Sequence, residues 1–119
     1  MKERRMYVRT DLHERISLTV IGTYDQAPIK PLEVDITDIS VDGIGFNCQE
    51  DIGVNTFLTG MIRLWNDYSM QIIIKVIRSR EIEDGFNYGC IFVGMDPADG
   101  LKIKISQLLQ EAREGDDPT

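Results

Sequence analysis

The sequence predicts a mainly β domain, five to six short antiparallel strands closing or half-closing into a barrel, with one α-helix at the C-terminal end. Three observations carry this. From Ile16 to Phe92 apolar and polar residues alternate in short runs at near-regular spacing. Clusters of Gly, Pro, Asn and Asp separate those runs. Only beyond Asp96 does the apolar period lengthen from two residues to about 3.6.

Taken in order, residues 1–14 carry charge without hydrophobic periodicity and read as a flexible basic arm. From Arg15 the pattern has period two, with Ile16, Leu18 and Val20 on one face and Ser17 and Thr19 on the other, until Gly22. Residues 23–31, with Pro28 and Pro31, form a connection, because proline removes a ladder donor and restricts its predecessor. Val34 and Ile36 resume the alternation through Thr37. A polar corner, Asp38-Ile39-Ser40-Val41-Asp42-Gly43, then leads into a strand through Phe46 to Cys48. Phe57–Trp65 and Met70–Arg78 are two more strands, joined by Asn66-Asp67-Tyr68-Ser69. Met70, Ile72, Ile74 and Val76 share one face of the second. Its other face holds Ile73 and Ile77, so it is expected to be central and covered on both sides. An acidic turn at Glu81–Gly85 precedes the last strand, in which Phe86, Tyr88, Cys90 and Phe92 alternate. The barrel thus spans 15–95.

Asp96 before Pro97, with Asp99 in the first turn, marks a helix start over 96–113. Leu101, Ile105, Leu108, Leu109 and Ala112 form its apolar stripe, while Ile103 lies off the stripe and is left for a partner. Gly115 ends the helix, and 114–119 reads as a disordered acidic tail.

A chain of 119 residues is one domain with room for a core that needs no disulfides. Net charge of -7 argues against a nucleic acid polymer as partner, since that requires a basic face. The charge is uneven: residues 1–15 hold five basic side chains against three acidic ones, and the last nine hold four acidic against one basic. A basic arm on an acidic body suits a small anionic ligand or an acidic partner. Cys48 and Cys90 have no metal-ligand spacing with His13 and read as buried free thiols of a reducing compartment. The charged N-terminus has no signal-peptide core, and no run approaches the ~18–20 apolar residues that span a bilayer. These features point to a cytoplasmic protein.

Two motifs carry chemistry. At the corner, Asp38 offers two acceptor oxygens, Ser40 a hydroxyl and Gly43 a backbone free of a side chain; taken alone, these are also ordinary turn residues. In the arm, Arg5 and Arg9 are spaced RxxxR, with Arg4 preceding them. The planar arginine fork pairs bidentately with phosphate and with the O6/N7 edge of guanine. His13 has no catalytic neighbours, Trp65 and Tyr7 read as packing aromatics, and the acids near Asp96 match no calcium loop.

An arginine arm, a strand and a DxSxxG corner opening a barrel together resemble the PilZ domain family, bacterial receptors for the second messenger cyclic di-GMP. The resemblance covers nearly the whole chain. Arg5 and Arg9 match RxxxR, and Asp38, Ser40 and Gly43 match [DN]xSxxG; Arg78 after Val76-Ile77, and Gly89 before Phe92, are further echoes. It implies a six-stranded split barrel with a C-terminal helix and a non-catalytic role in signal transduction, with cyclic di-GMP as ligand and no cofactor or metal. Arg4, Arg5, Arg9, Asp38, Ser40 and Gly43 would be the ligand-binding residues. An arginine at the Arg4 position implies an intercalated pair of ligands rather than one. The corner's polar atoms are expected to stay open to water until the arm closes. The signal would pass by conformational change to an unidentified downstream protein. The alternative is an adaptor of the same fold that works by protein contact without nucleotide.

Overall fold

A computed structural model of the chain describes residues 9–22, 31–64 and 67–115. Six strands, β1 (Thr10–Gly22), β2 (Pro31–Ile39), β3 (Gly43–Cys48), β4 (Phe57–Arg63), β5 (Ser69–Ile82) and β6 (Gly85–Phe92), precede one helix, α1 (Pro97–Gly115). All strand pairs are antiparallel and the barrel closes in the order β1-β2-β3-β6-β5-β4. Side chains alternate along each strand, so one face of every strand fills the interior. Leu18, Val34, Ile36, Ile44, Phe46, Leu58, Ile74, Val76 and Tyr88 are wholly buried there. Phe46, Tyr88 and Phe86 stack along the inside. The Tyr88 hydroxyl accepts from Ile52 N–H (2.6 Å) and donates to the Glu50 carbonyl (2.7 Å), which pins the connection before β4. The expected buried free thiols are present at Cys48 and Cys90.

Four local expectations give way. β1 begins at Thr10 rather than Arg15, because Leu12 is buried and the ladder to β2 continues to Asp11↔Asp38 across a register shift. Residues 10–14 therefore belong to the sheet and not to the arm. β5 runs on past Arg78 to Ile82, its end paired with β6 down to Gly85. Nor is β5 covered on both sides, since Ile73 and Ile77 point outward and are 40% and 44% exposed. A barrel strand has only one dry face.

The fourth concerns α1. Its start is as expected: Ala98 N–H donates to Asp96 Oδ1 (3.0 Å) and Asp99 lies in the first turn. It docks through Ile103, the residue expected to be left for a partner. Ile103, Ser106 and Gln107 are buried, whereas Leu101, Ile105, Leu108 and Leu109 are 40–59% exposed. The Gln107 side-chain amide donates to Thr10 Oγ1 (3.1 Å) and to the Ile39 carbonyl (3.4 Å), so α1 sits where β1 begins and β2 ends. Polar contacts at that end select the face that docks, and the apolar stripe is left outside. No described helix is long and apolar enough to cross a membrane.

Candidate functional site

The corner between β2 and β3 is closed by Ser40 N–H donating to the Gly43 carbonyl (2.9 Å). Ser40 is wholly buried, its hydroxyl donating to Asp42 Oδ1 and accepting from Asp42 N–H (3.3 Å). Asp42 therefore turns to Ser40 and is not aimed at Asp38. Gly43 opens β3 with no positive φ. A Cβ there would lie 2.0 Å from the Cys90 carbonyl oxygen, so the glycine allows β3 to approach β6 backbone to backbone. The expectation of a corner open to water is thus corrected at Ser40 and Gly43, which the packing of β3 against β6 encloses.

Asp38 differs. A break in the β2 register between Ile36 and Asp38 turns it out of the barrel, 32% exposed, to meet Arg9 just before β1. Arg9 Nη2 donates to Asp38 Oδ1 (3.2 Å) and Arg9 Nε to Oδ2 (3.3 Å), a fork-to-fork pair that engages two of arginine's five N–H donors. The strands bring these residues together from 29 positions apart, because Asp11 is opposite Asp38 in the β1–β2 ladder. Arg4 and Arg5 lie outside the described residues, as does Trp65.

Asp38 also begins a row that crosses four strands. It pairs with Gly45, Gly45 with Gly89, and Gly89 with Arg78. A Cβ on Gly45 would lie 2.5 Å from Asp38 Oδ1, and one on Gly89 would lie 2.6 Å from Arg78 Nη2. The charged side chains thus lie over bare backbone, making a shelf three interstrand gaps wide, each roughly 4.8 Å. Two guanidiniums face one carboxylate, a balance that suits an anion with flat groups. Beneath the shelf, burial pushes the Cys90 thiol up to about 12, against the opposing pull of Arg78 and Arg9 nearby. Burial likewise raises the Cys48 thiol, so both stay protonated near neutrality. Of the two central glycines, Gly89 is one of the weaker echoes in the sequence, as is Arg78, and Gly45 stands in neither motif. Gly45 carried a signal, an outward position in an alternating strand left without a side chain.

A groove of about 780 Å³ opens on the other side of Arg9, where Asp11, Glu14, Asp67 and Glu111 outnumber the two arginines, Arg9 and Arg63. Its acids make it unsuited to an anion. Among the described residues no group of three or more His, Cys, Asp or Glu side chains is placed to hold a metal ion.

The model of the PilZ domain matches residues 3–111, which takes in both motifs and every strand. This chain belongs to the PilZ domain family. Solved structures share the PilZ fold at low identity. YcgR of Escherichia coli, in complex with c-di-GMP, superposes with a TM-score of 0.70 at 18% identity, covering 97% of this chain and 50% of that one. The Bacillus subtilis inhibitor of motility MotI/DgrA gives 0.69 at 17%, covering 92% and 52%. The K. pneumonia MrkH–c-di-GMP complex gives 0.59 at 19%, covering 96% and 56%. This chain thus spans about half the length of each of those PilZ proteins. No curated protein matches it in sequence.

Proposed function

We propose that this PilZ domain is a non-catalytic receptor for cyclic di-GMP and that the shelf from Arg9 to Arg78 is its binding surface. The observation that carries this is the Arg9–Asp38 pair lying directly over Gly45, in line with Gly89 and Arg78. The ligand is a dianion carrying two guanines. Asp38 holds Arg9 in a fixed orientation, so little side-chain freedom is lost when its remaining donors engage phosphate or guanine O6/N7. Asp38 has further lone pairs for guanine N–H groups, and the buried Gly45 and Gly89 let the Asp38 and Arg78 side chains lie flat on the barrel wall, where a base can meet them. Arg78 supplies a cation at the far edge. Arg5 would close over the ligand from the arm, and Arg4 would add the fork that favours an intercalated pair. Ser40 and Gly43 act by holding the corner, and the ligand reaches neither directly.

Binding would be relayed through Gln107. Its amide bonds Thr10 and Ile39, the immediate neighbours of Arg9 and Asp38, so any shift of that pair is felt by α1. The ligand can then favour a downstream protein only by its differential affinity for the free and partnered forms.

Isothermal titration with cyclic di-GMP, alongside GTP and cyclic GMP, tests this in the wild type, Arg5→Ala and Asp38→Ala. Micromolar or tighter binding of cyclic di-GMP alone, lost in both variants, is the expected result. No binding at ~100 μM, weaker than roughly -5.5 kcal/mol, would replace the receptor with an adaptor acting by protein contact. A stoichiometry of two per chain that falls to one in Arg4→Leu is expected for the intercalated pair.

A further inference from the structure

Helix α1 docks through one face and leaves its apolar face in water. At 100° per residue, Leu101, Ile105, Leu108 and Ala112 are centred roughly 180° around the axis from Ile103, Ser106 and Gln107. Leu101 is 59% exposed and Leu108 52%, far beyond what an isolated surface leucine would suggest when four such residues adjoin. Successive gaps of four, three and four residues are the d-a-d-a spacing of a two-stranded coiled coil, with Leu109 flanking at e.

The charges on this face say what covers it. Lys104 and Glu111, both exposed, occupy the two g positions of that register. Against a second copy running antiparallel, Ile105 faces Leu108 and Leu101 faces Ala112. The g positions then fall opposite one another, so Lys104 of each copy meets Glu111 of the other. A parallel copy would set Lys104 against Leu109, with no charge to meet. The charges therefore pair in the antiparallel orientation only, and there the face is self-complementary across a two-fold axis.

We propose that the outward face of α1 is the seam of an antiparallel dimer of this domain. The helix has 19 residues, roughly 28 Å at 1.5 Å each, so the seam covers little more than two heptads. That is at the small end of stable interfaces, so the dimer dissociates reversibly on dilution.

Sedimentation velocity of the 119-residue chain from about 1 to 500 μM should show a reversible monomer–dimer equilibrium. Leu108→Glu should weaken it at least tenfold while the circular dichroism and melting temperature stay unchanged, because Leu108 is 52% exposed and stands outside the core cluster. Orientation is read by cross-linking. A mixture of Ile105→Cys and Leu108→Cys chains should oxidise to a disulfide-linked heterodimer faster than either variant alone. Lys104→Glu should weaken the dimer several-fold at low salt, and adding Glu111→Lys should restore it. A monomer at 500 μM would leave the face to a different protein and overturn the proposal. So would a dimer that Leu108→Glu leaves intact, or equal cross-linking in the mixed and single pools.

Discussion

Asp38 and Ser40 stand two residues apart in one motif, yet they belong to different parts of the molecule. Ser40 and Gly43 are buried in a corner that is hydrogen-bonded within itself, with Asp42 at its exposed edge. Asp38 sits with Arg9, Gly45, Gly89 and Arg78 on a half-exposed shelf along the barrel wall. The difference teaches that one short motif carries two physical tasks. The register break between Ile36 and Asp38 turns Asp38 outward, out of phase with the buried Leu32, Val34 and Ile36, and the turn then sends Ser40 inward. The two glycines divide in the same way. A methyl group at Gly43 would strike a backbone carbonyl that cannot yield, whereas one at Gly45 would meet the movable end of the Asp38 side chain.

Substitutions should therefore separate into those that cost stability and those that cost affinity. The largest effect is expected at the corner. Gly43→Ala must push β3 away from Cys90, at about 3 kcal/mol, seen as a melting temperature lower by on the order of 12 °C. A melt within 3 °C of wild type would erase the distinction between the two glycines. On the shelf, Arg9→Ala should weaken cyclic di-GMP by 10- to 100-fold in calorimetry, consistent with loss of a charge-assisted fork. Its melting temperature should move by no more than about 2 °C, because a partly exposed ion pair contributes little.

Cys90 links the regions, its carbonyl packed on Gly43 and its thiol beneath the shelf. The folded thiol titrates at about 12 and the unfolded one near 9.0, so the folded state retains its proton longer. Stability is then fully present below pH 9 and falls as pH rises, by up to about 1.4 kcal/mol per pH unit toward 12. Tyr88, also raised by burial, acts in the same direction above pH 10. Urea midpoints between pH 8 and 11 should fall less steeply in Cys90→Ala, with ligand affinity at pH 7 unchanged. The smallest effect is expected for Ser40→Ala. It removes two local hydrogen bonds whose other partner, Asp42, is open to water, and should cost about 1 kcal/mol in a chemical melt.

Period-two alternation revealed all six strands, and Asp96-Pro97 with Asp99 revealed the helix start, since both signals are local. Their limits were local too. Leu12 is a single apolar residue among charges, so it could not announce the early start of β1. The apolar stripe of α1 was visible, but not which face would dock, because Gln107 chooses partners from β1 and β2. Arg9 and Asp38 were legible as types without their pairing. The Asp38-Gly45-Gly89-Arg78 row depends on the register of three ladders, which no single stretch of sequence records.

The shelf itself can be watched through its two central amides. In a ¹H–¹⁵N titration with cyclic di-GMP, Gly45 and Gly89 should show the largest shifts among the described residues, with Arg78 following and Ser40 moving little. Shifts centred on Asp11, Glu14 and Asp67, or none at Gly45 and Gly89 with the ligand bound, would contradict the shelf as the binding surface.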